Sequence, residues 1–319
     1  MKENDNSQVK FVVIDHKNCD QRIDNFLLRI LKGAPRSLIY RIIRSGEVRV
    51  NKGRIKPPYR LKEGDSVRIP PVRLPTRESG IKPSKFLCQD IEQRILIEDK
   101  HLLILNKPSG IAVHGGSGIS HGIIEILRTS RSEHDYLELA HRLDRDTSGT
   151  LIIAKDRSTL RSLHDKLKNN DIEKHYRALV QGKWPRKTKR IDSPLMKNIL
   201  SSGERIVKVN KAGKSALTII RPLKLGPNAS LVDIKIETGR THQIRVHTAS
   251  EGHPIAGDTK YGDVEFDKEM KKFGLNRLFL HAFSLKFSIP QESGNNLQYD
   301  ISAPLDAKLE AVIENLGIN

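Results

Sequence analysis

"ELAHRLDRDTSGTLIIAKD", residues 138–156, holds the transition that decides how the chain is read. Its second half, Thr150 to Ala154, is apolar and β-favouring. It is entered through the small-residue turn Asp146-Thr147-Ser148-Gly149, the pattern of a buried strand. Its first half sets Asp144 and Asp146 among Arg142 and Arg145. Alternating charges ordinarily mark a solvated surface. Carboxylates placed directly before a buried strand can also be groups held for chemistry, and the rest of the chain has to decide between the two.

Outward from this stretch, apolar strand runs recur as "YRALV", "LVDIKI" and "LFLHAFSLKFSI". "ILIEDKHLLILNKPSG" reads as two strands about a polar turn. Helical spacing appears in "HGIIEILR", "RSTLRSLHDKL" and "AKLEAVIENL". Helices and strands are mixed without a regular βαβ alternation. The expected fold class is therefore α+β: a mixed, largely antiparallel sheet with a central cleft over residues 93–319, plus a small N-terminal α/β domain over 17–72. An N-terminal arm covers 1–16, and a linker with little periodicity covers 73–92.

The small domain is where charge concentrates. Residues 21–70 contain 13 Lys or Arg against four carboxylates, a net +9 in a chain of 319 residues whose total is +18. "RIDNFLLRIL" and "SLIYRIIRSG" place apolar residues at helical spacing, and "EVRVNKGRIKPPYRLKEGDSVRIP" alternates as short strands with turns at "NKG" and "KEGD". Arg36, Arg41, Arg44, Arg49, Lys52 and Arg54 are opposed there only by Glu47. That is too one-sided for ordinary surface mixing and predicts phosphate binding. A pI near 9.9 favours a polyanionic partner, nucleic acid before an acidic membrane. The N-terminus has no apolar signal core and no stretch approaches transmembrane length, so a cytoplasmic location and no membrane partner are expected.

Other chemistries fall away on inspection. Cys19 and Cys88 form no C-x-x-C pair. His242 and His247 stand five apart, which does not share a helical face as a zinc H-E-x-x-H pair does. "HGGSGISHG" lacks the G-K-[ST] ending of a P-loop, has His121 where G-x-G-x-x-G needs glycine, and reads as a flexible loop. Ser117 fails as a nucleophile because Ile119 stands where G-x-S-x-G needs glycine. Ser148 reads as a turn residue. The expectation is no metal site and no cofactor, which leaves carboxylate chemistry.

"HRLDRDTSG", with "NKPSG" upstream and "KHY" and "GRTHQIRVH" downstream, resembles the motif set of pseudouridine synthases of the large-subunit ribosomal RNA type. The resemblance spans about residues 93–319. Residues 17–72, through "R-I-D-x-F-L" and "G-E-V-R-V-N", resemble the small alpha-L RNA-binding domain. These resemblances imply an isomerase that turns uridine into pseudouridine in large-subunit ribosomal RNA, without a cofactor or an obligate protein partner. They imply Asp144 as the catalytic carboxylate, Tyr176 as the ring that stacks on uracil, and Arg245 as the partner of the nucleophile. Arg142 would enter the RNA stack as the base leaves, and Lys107 of "NKPSG" is expected among the RNA contacts. Asp146 falls where the family varies.

The residue types suit that chemistry. The reaction breaks the N1–C1′ bond, turns the uracil and joins C5 to C1′. A carboxylate can attack C1′ or C6, or assist a glycal route, and the sequence leaves these open. The base must leave its stack, which is easiest in loops and single strands. Transfer RNA as substrate, a non-catalytic ribosome-assembly protein, and a hydrolase pairing Asp144 with Asp146 are the competing readings. The retained Asp144, Tyr176 and Arg245 weigh against the second, and the "RDTSG" turn weighs against the third.

Overall fold

The computed structural model describes residues 8–31, 33–72, 83–115, 121–133, 136–199, 205–290 and 296–318. The chain divides into two compact units, Met1–Lys82 and Pro83–Asn319.

The first unit contains β1 (Lys10–Val13), α1 (Ile23–Ile30), α2 (Arg36–Arg44), β2 (Arg49–Val50), β3 (Gly53–Arg54) and β4 (Ser66–Ile69). Its strands form one antiparallel sheet in the order β1-β4-β2-β3. Ile23, Phe26 and Leu27 of α1 and Ile39, Ile42 and Ile43 of α2 bury against Val50, Val67 and Ile69 of the sheet. Each such burial contributes roughly 1.5–3 kcal/mol relative to exposure. Asp24, buried at the start of α1, accepts from Arg22, from the Tyr40 hydroxyl and from Asn25 N–H. Burial alone would raise its pKa, but these donors hold it below the usual carboxylate range. Asn51 and Lys52 link β2 to β3 with both φ angles positive, the two-residue hairpin turn expected of "NKG". The Asn51 amide donates to Asp65 and its carbonyl accepts from Ser66 N–H, which fixes that turn. The expected arm at 1–16 needs correcting: residues 10–13 are an edge strand of this sheet, because Val12 packs against the same core. Lys32 lies outside the described residues.

The second unit begins with α3 (Lys85–Glu92), inside the stretch expected to be a linker. Ser84 caps it by accepting from Leu87 N–H, and Ile91, with Leu87 and Cys88 beside it, packs into the core of this unit. Residues 73–82 of the expected linker lie outside the described residues. Then come β5 (Ile95–Glu98), β6 (Leu102–Lys107), α4 (Ile123–Ser130), β7 (Glu138–Leu139), β8 (Ser148–Ala154), α5 (Arg157–Asn169) and β9 (Glu173–Gln181). They are followed by β10 (Lys189–Asp192), β11 (Leu195–Ile199), β12 (Arg205–Val209), β13 (Leu217–Leu225), β14 (Ala229–Ile236) and α6 (Gln243–Ser250). The unit closes with α7 (Val264–Lys272), β15 (Leu280–Pro290), β16 (Asn296–Ser302) and α8 (Ala307–Leu316).

The large sheet runs β10-β13-β14-β9-β15-β8-β6-β5, with β16 on β15 and β7 on β8, while β11 and β12 form a separate hairpin. Among the described residues its only parallel pairing is β8 with β15, so the sheet is mixed but largely antiparallel. Every residue of β8 is buried because the sheet is covered on both faces. Leu151 and Ile153 face the cluster containing α4, and Ile152 and Ala154 face the cluster containing Leu163 of α5. Gly149 is required where β8 meets β15. A Cβ there would lie 2.1 Å from the Ala282 carbonyl oxygen, and its φ of +108° disfavours a side chain as well. Among the described residues, no helix is long and apolar enough to cross a membrane.

Candidate active site

Asp144 lies in the loop between β7 and β8, Tyr176 is in β9, and Arg245 is in the first turns of α6. Far apart in sequence, the three line one cleft of about 100 Å³ together with Arg142, Thr147, Ile236, His242 and Leu280.

The Asp144 loop is held from behind. Thr147 N–H donates to the Asp144 carbonyl, closing a turn. Gly110 N–H and the Lys107 ammonium both donate to the Arg145 carbonyl, and the Ser109 hydroxyl donates to the Asp146 carbonyl at 2.7 Å. The "NKPSG" loop is thus a scaffold for the "RLDRD" loop, and the expectation that Lys107 touches RNA is overturned. Lys107 is fully buried, and its Nζ is consumed by the carbonyls of Pro108, Ile111 and Arg145 at 2.8–2.9 Å. Burial pushes its ammonium down to about 7, against the pull of Asp146 and Asp144. Asp146 is partly exposed, and its carboxylate accepts from its neighbour Arg145, a surface contact.

Arg245 stands between two carboxylates. Its Nε and Nη2 donate to Asp258 at 2.7 and 2.6 Å in a bidentate pair, while Nη1 stands 3.7 Å from Asp144 Oδ2. Asp258 is its tight partner, and Asp144 is the looser one. Burial would raise the Asp258 pKa, but the pair with Arg245 keeps it below the usual range. The guanidinium is thereby fixed between two carboxylates, one buried and one facing the cleft with 19% of its side chain exposed.

His242 completes the rim. It precedes α6 in a left-handed backbone conformation, φ 54°, uncommon for a residue other than glycine and often found at functional sites. Its Nδ1 bonds the Tyr261 hydroxyl at 2.8 Å and its Nε2 is 3.8 Å from Asp144 Oδ2. Burial lowers its pKa, against the pull of the Asp144 charge. His141 of "HRLD" faces away from this chemistry. Its Nε2 accepts from Ile152 N–H, tying the loop to β8, and burial takes its pKa down to about 4. Asp258, Tyr261 and the carboxylate-facing role of His242 were not found from sequence. The turn "GDTKYG" after a helix was the available signal, and it has no periodicity to betray it.

Tyr176 is buried except for the edge that reaches the cleft, and its hydroxyl makes no hydrogen bond among the described residues. Burial and then the nearby Asp144 charge raise its pKa, so it is a neutral phenol. Arg142 is exposed at the cleft rim. In the first unit, Arg36, Arg41, Arg44, Arg49, Lys52 and Arg54 are all exposed. None of the six has a carboxylate partner among the described residues, the state a phosphate-binding face requires. His247 bonds the Thr218 hydroxyl and the Ser193 carbonyl, which occupies both its nitrogens in structure. Among the described residues, no group of three or more His, Cys, Asp or Glu could hold a metal ion. Residues 116–120 of "HGGSGISHG", including Ser117, lie outside the described residues.

Comparison with known proteins places this geometry among relatives. A profile described as RNA pseudouridylate synthase matches residues 101–250, and one described as S4 domain matches residues 21–67. The ribosomal large subunit pseudouridine synthase C of Haemophilus influenzae is 55% identical over 312 residues, 98% of this chain and 96% of that one. The protein of the same description from Escherichia coli K12 is 53% identical over 311 residues, 97% of each. Among solved structures, human RNA pseudouridylate synthase domain containing 4 superposes with a TM-score of 0.60 at 24% identity. That match covers 73% of this chain and 97% of the human one, a likeness of fold.

Proposed function

The chain belongs to the family of ribosomal large subunit pseudouridine synthases C, RNA pseudouridylate synthases that carry an N-terminal S4 domain, and on that premise we propose that it isomerises specific uridines of large-subunit ribosomal RNA with Asp144 as the catalytic carboxylate. It is an isomerase, and its partner is RNA. The assignment of Asp144 rests on one observation above the others: Asp144, Tyr176 and Arg245 converge on one cleft from three separate elements, while large-subunit RNA as substrate is supported by the relatives. We place this work in the cytoplasm, where ribosomal RNA is modified as subunits assemble.

In the proposed mechanism the target uridine leaves its stack and Arg142, at the rim, occupies the space it vacates. The uracil lies against Tyr176, with Ile236 and Leu280 supplying apolar walls. Asp144 acts as nucleophile or base in a cleft where Arg245 offers a fixed positive charge. Asp258 keeps that charge from collapsing onto Asp144 in the empty site. Tyr176 begins as a neutral phenol, one of its two perturbing influences being the Asp144 charge. If Asp144 forms a covalent bond to sugar or ring, that charge disappears and the phenol ionises more readily; having released its own proton to solvent, it can take the C5 proton as phenolate. Tyr176 can then act late in the reaction, after the carboxylate is spent.

The test is a matched pair. Asp144→Asn keeps size and removes the anionic oxygen. The variant is expected to form no pseudouridine while holding its RNA at least as tightly, because affinity comes chiefly from phosphate contacts. Asp146→Asn, altering a surface contact, is expected to keep most activity. Isomerisation leaves RNA mass unchanged, so C5 proton release from labelled uridine is the readout. Turnover by Asp144→Asn alongside a dead Asp146→Asn would reverse the assignment.

A further inference from the structure

In the first unit, strand register aligns four side chains that sequence spacing does not connect. Phe11 of β1 stands opposite Arg68 of β4, Arg68 opposite Arg49 of β2, and Arg49 opposite Arg54 of β3. Directly opposed residues in antiparallel strands share a face, with strands about 4.8 Å apart. The neighbouring row, Val12, Val67 and Val50, faces the core, so the Phe11–Arg54 row faces outward. Phe11 is 68% exposed, and Val13, two residues on and on the same face, is 69% exposed.

The three arginines converge on one turn. Arg49 Nε donates to the Gly46 carbonyl, Arg68 Nη1 donates to the Glu47 carbonyl at 2.6 Å, and the Arg54 stem lies against Gly46. None has a carboxylate partner among the described residues. The Glu47 carboxylate accepts from the Ser45 hydroxyl. Like charges directly opposite each other across strands destabilise a sheet. A row of three, headed by a bare aromatic ring on an edge strand, is unfavourable for the isolated fold and complementary to a ligand that is anionic and flat-faced at once.

Single-stranded nucleic acid has that combination: phosphates for the guanidinium groups and a base face for the ring. We propose that Phe11 is a stacking platform for an unpaired RNA base whose neighbouring phosphates lie on Arg68, Arg49 and Arg54. This rests on the RNA-directed reading above and adds to it a preference for unpaired nucleotides at a position away from the target base. β1 precedes residues 21–67, those matched as S4 domain, while Arg49 and Arg54 lie within them. A second copy of the chain does not suit the face, because a two-fold contact would set three arginines against three arginines. Nor is the remainder of the chain complementary in charge. With residues 21–70 at a net +9 out of +18, the rest is equally positive.

The test uses the full chain and a fluorescent ring. Trp184 is the chain's one tryptophan and is buried, so Phe11→Trp introduces the only exposed indole. Its emission should be quenched by a single-stranded oligouridylate and left unchanged by an RNA duplex of equal length. Phe11→Ala should bind a loop-bearing ribosomal RNA fragment about tenfold more weakly. Its affinity for duplex and its salt dependence should not change. Arg49→Ala combined with Arg54→Ala should instead reduce the slope of log K against log salt by about 1.4. Four results would overturn the proposal: an unquenched indole, a Phe11→Ala variant equal to wild type on loop RNA, equal losses on both RNAs, or a dimer in sedimentation that Phe11→Ala abolishes. Pseudouridine formation is not read here. A chain that bound this way without turnover would sink the functional reading and leave the platform standing.

Discussion

At the scale of single residues, the site depends on which polar groups are held and by what. Lys107 is the sharpest case, since its charge serves the fold while lying beside the chemistry. Replacing it by methionine preserves length but leaves the carbonyls of Pro108, Ile111 and Arg145 without their donor. Lys107→Met should destabilise the protein by about 3 kcal/mol or more in denaturant unfolding. Because the Arg145 carbonyl belongs to the Asp144 loop, kcat should fall too. The salt slope of RNA binding should stay the same. A phosphate contact would behave oppositely, with stability intact and the slope reduced by about 0.7. Lysine was misread from sequence because its type predicts solvent, and only the convergence of three backbone carbonyls from two loops makes a buried ammonium tolerable. Asp144, Tyr176 and Arg245 were named from sequence because each sits in a local motif, and the fold brings the three to one cleft. Asp258 was not, because what defines it is a bidentate bond made across a turn.

At the scale of elements, packing among α3, α4, β5 and β8 is reinforced by one ionic cluster. Glu98 at the end of β5 accepts from Arg131, which follows α4, and from Lys155, which follows β8, at 2.6 and 2.7 Å. Arg131 also pairs with Glu92 of α3. Chiefly through Arg131, with burial opposing and Lys155 assisting, Glu98 is lowered from an ordinary 4.5 to about 2. A depressed carboxylate contributes stability that is fully present above its unfolded pKa and is lost as pH falls through the folded one. Between pH 4.5 and 2, then, wild type should lose up to about 3 kcal/mol that Glu98→Gln never had. Asp99 is lowered as well and acts in both proteins, whereas Glu92 shares Arg131 with Glu98, so the difference between the two melting curves against pH reports Glu98 together with its coupling to Glu92. Parallel curves would mean that the cluster is only solvated charge. The elements themselves were legible wherever apolar residues were periodic, as in α1, α2, α4, α5 and α8. α3 was missed because it is short, is preceded by prolines and glycines, and exposes Phe86, which blurs its apolar stripe.

At the scale of the whole molecule, the densest positive charge and the candidate cleft lie in different parts of the chain. Residues 21–70 hold half of the net +18, while every residue lining the candidate cleft lies beyond residue 83. Each unit has its own apolar core, Phe26, Ile39 and Val67 in one and Leu103, Ile153 and Val232 in the other, with no buried residue shared between clusters. The fragment 83–319 should therefore fold by itself and keep its turnover number at saturating RNA, since Asp144, Tyr176, Arg245 and Asp258 are all within it. What it should lose is affinity. Six exposed cations of the first unit, each neutralising a phosphate, would contribute about −4 to the slope of log K against log salt on the single-strand scale. Removing them should flatten the measured slope by that amount and raise KM above that of the full chain most at low salt. kcat and the salt slope are separate readouts, so the outcomes divide cleanly. A flattened slope with kcat retained assigns the first unit to binding. A slope left unchanged with kcat lost would mean that its basic face is merely solvated and that the unit acts by placing the target uridine over Asp144.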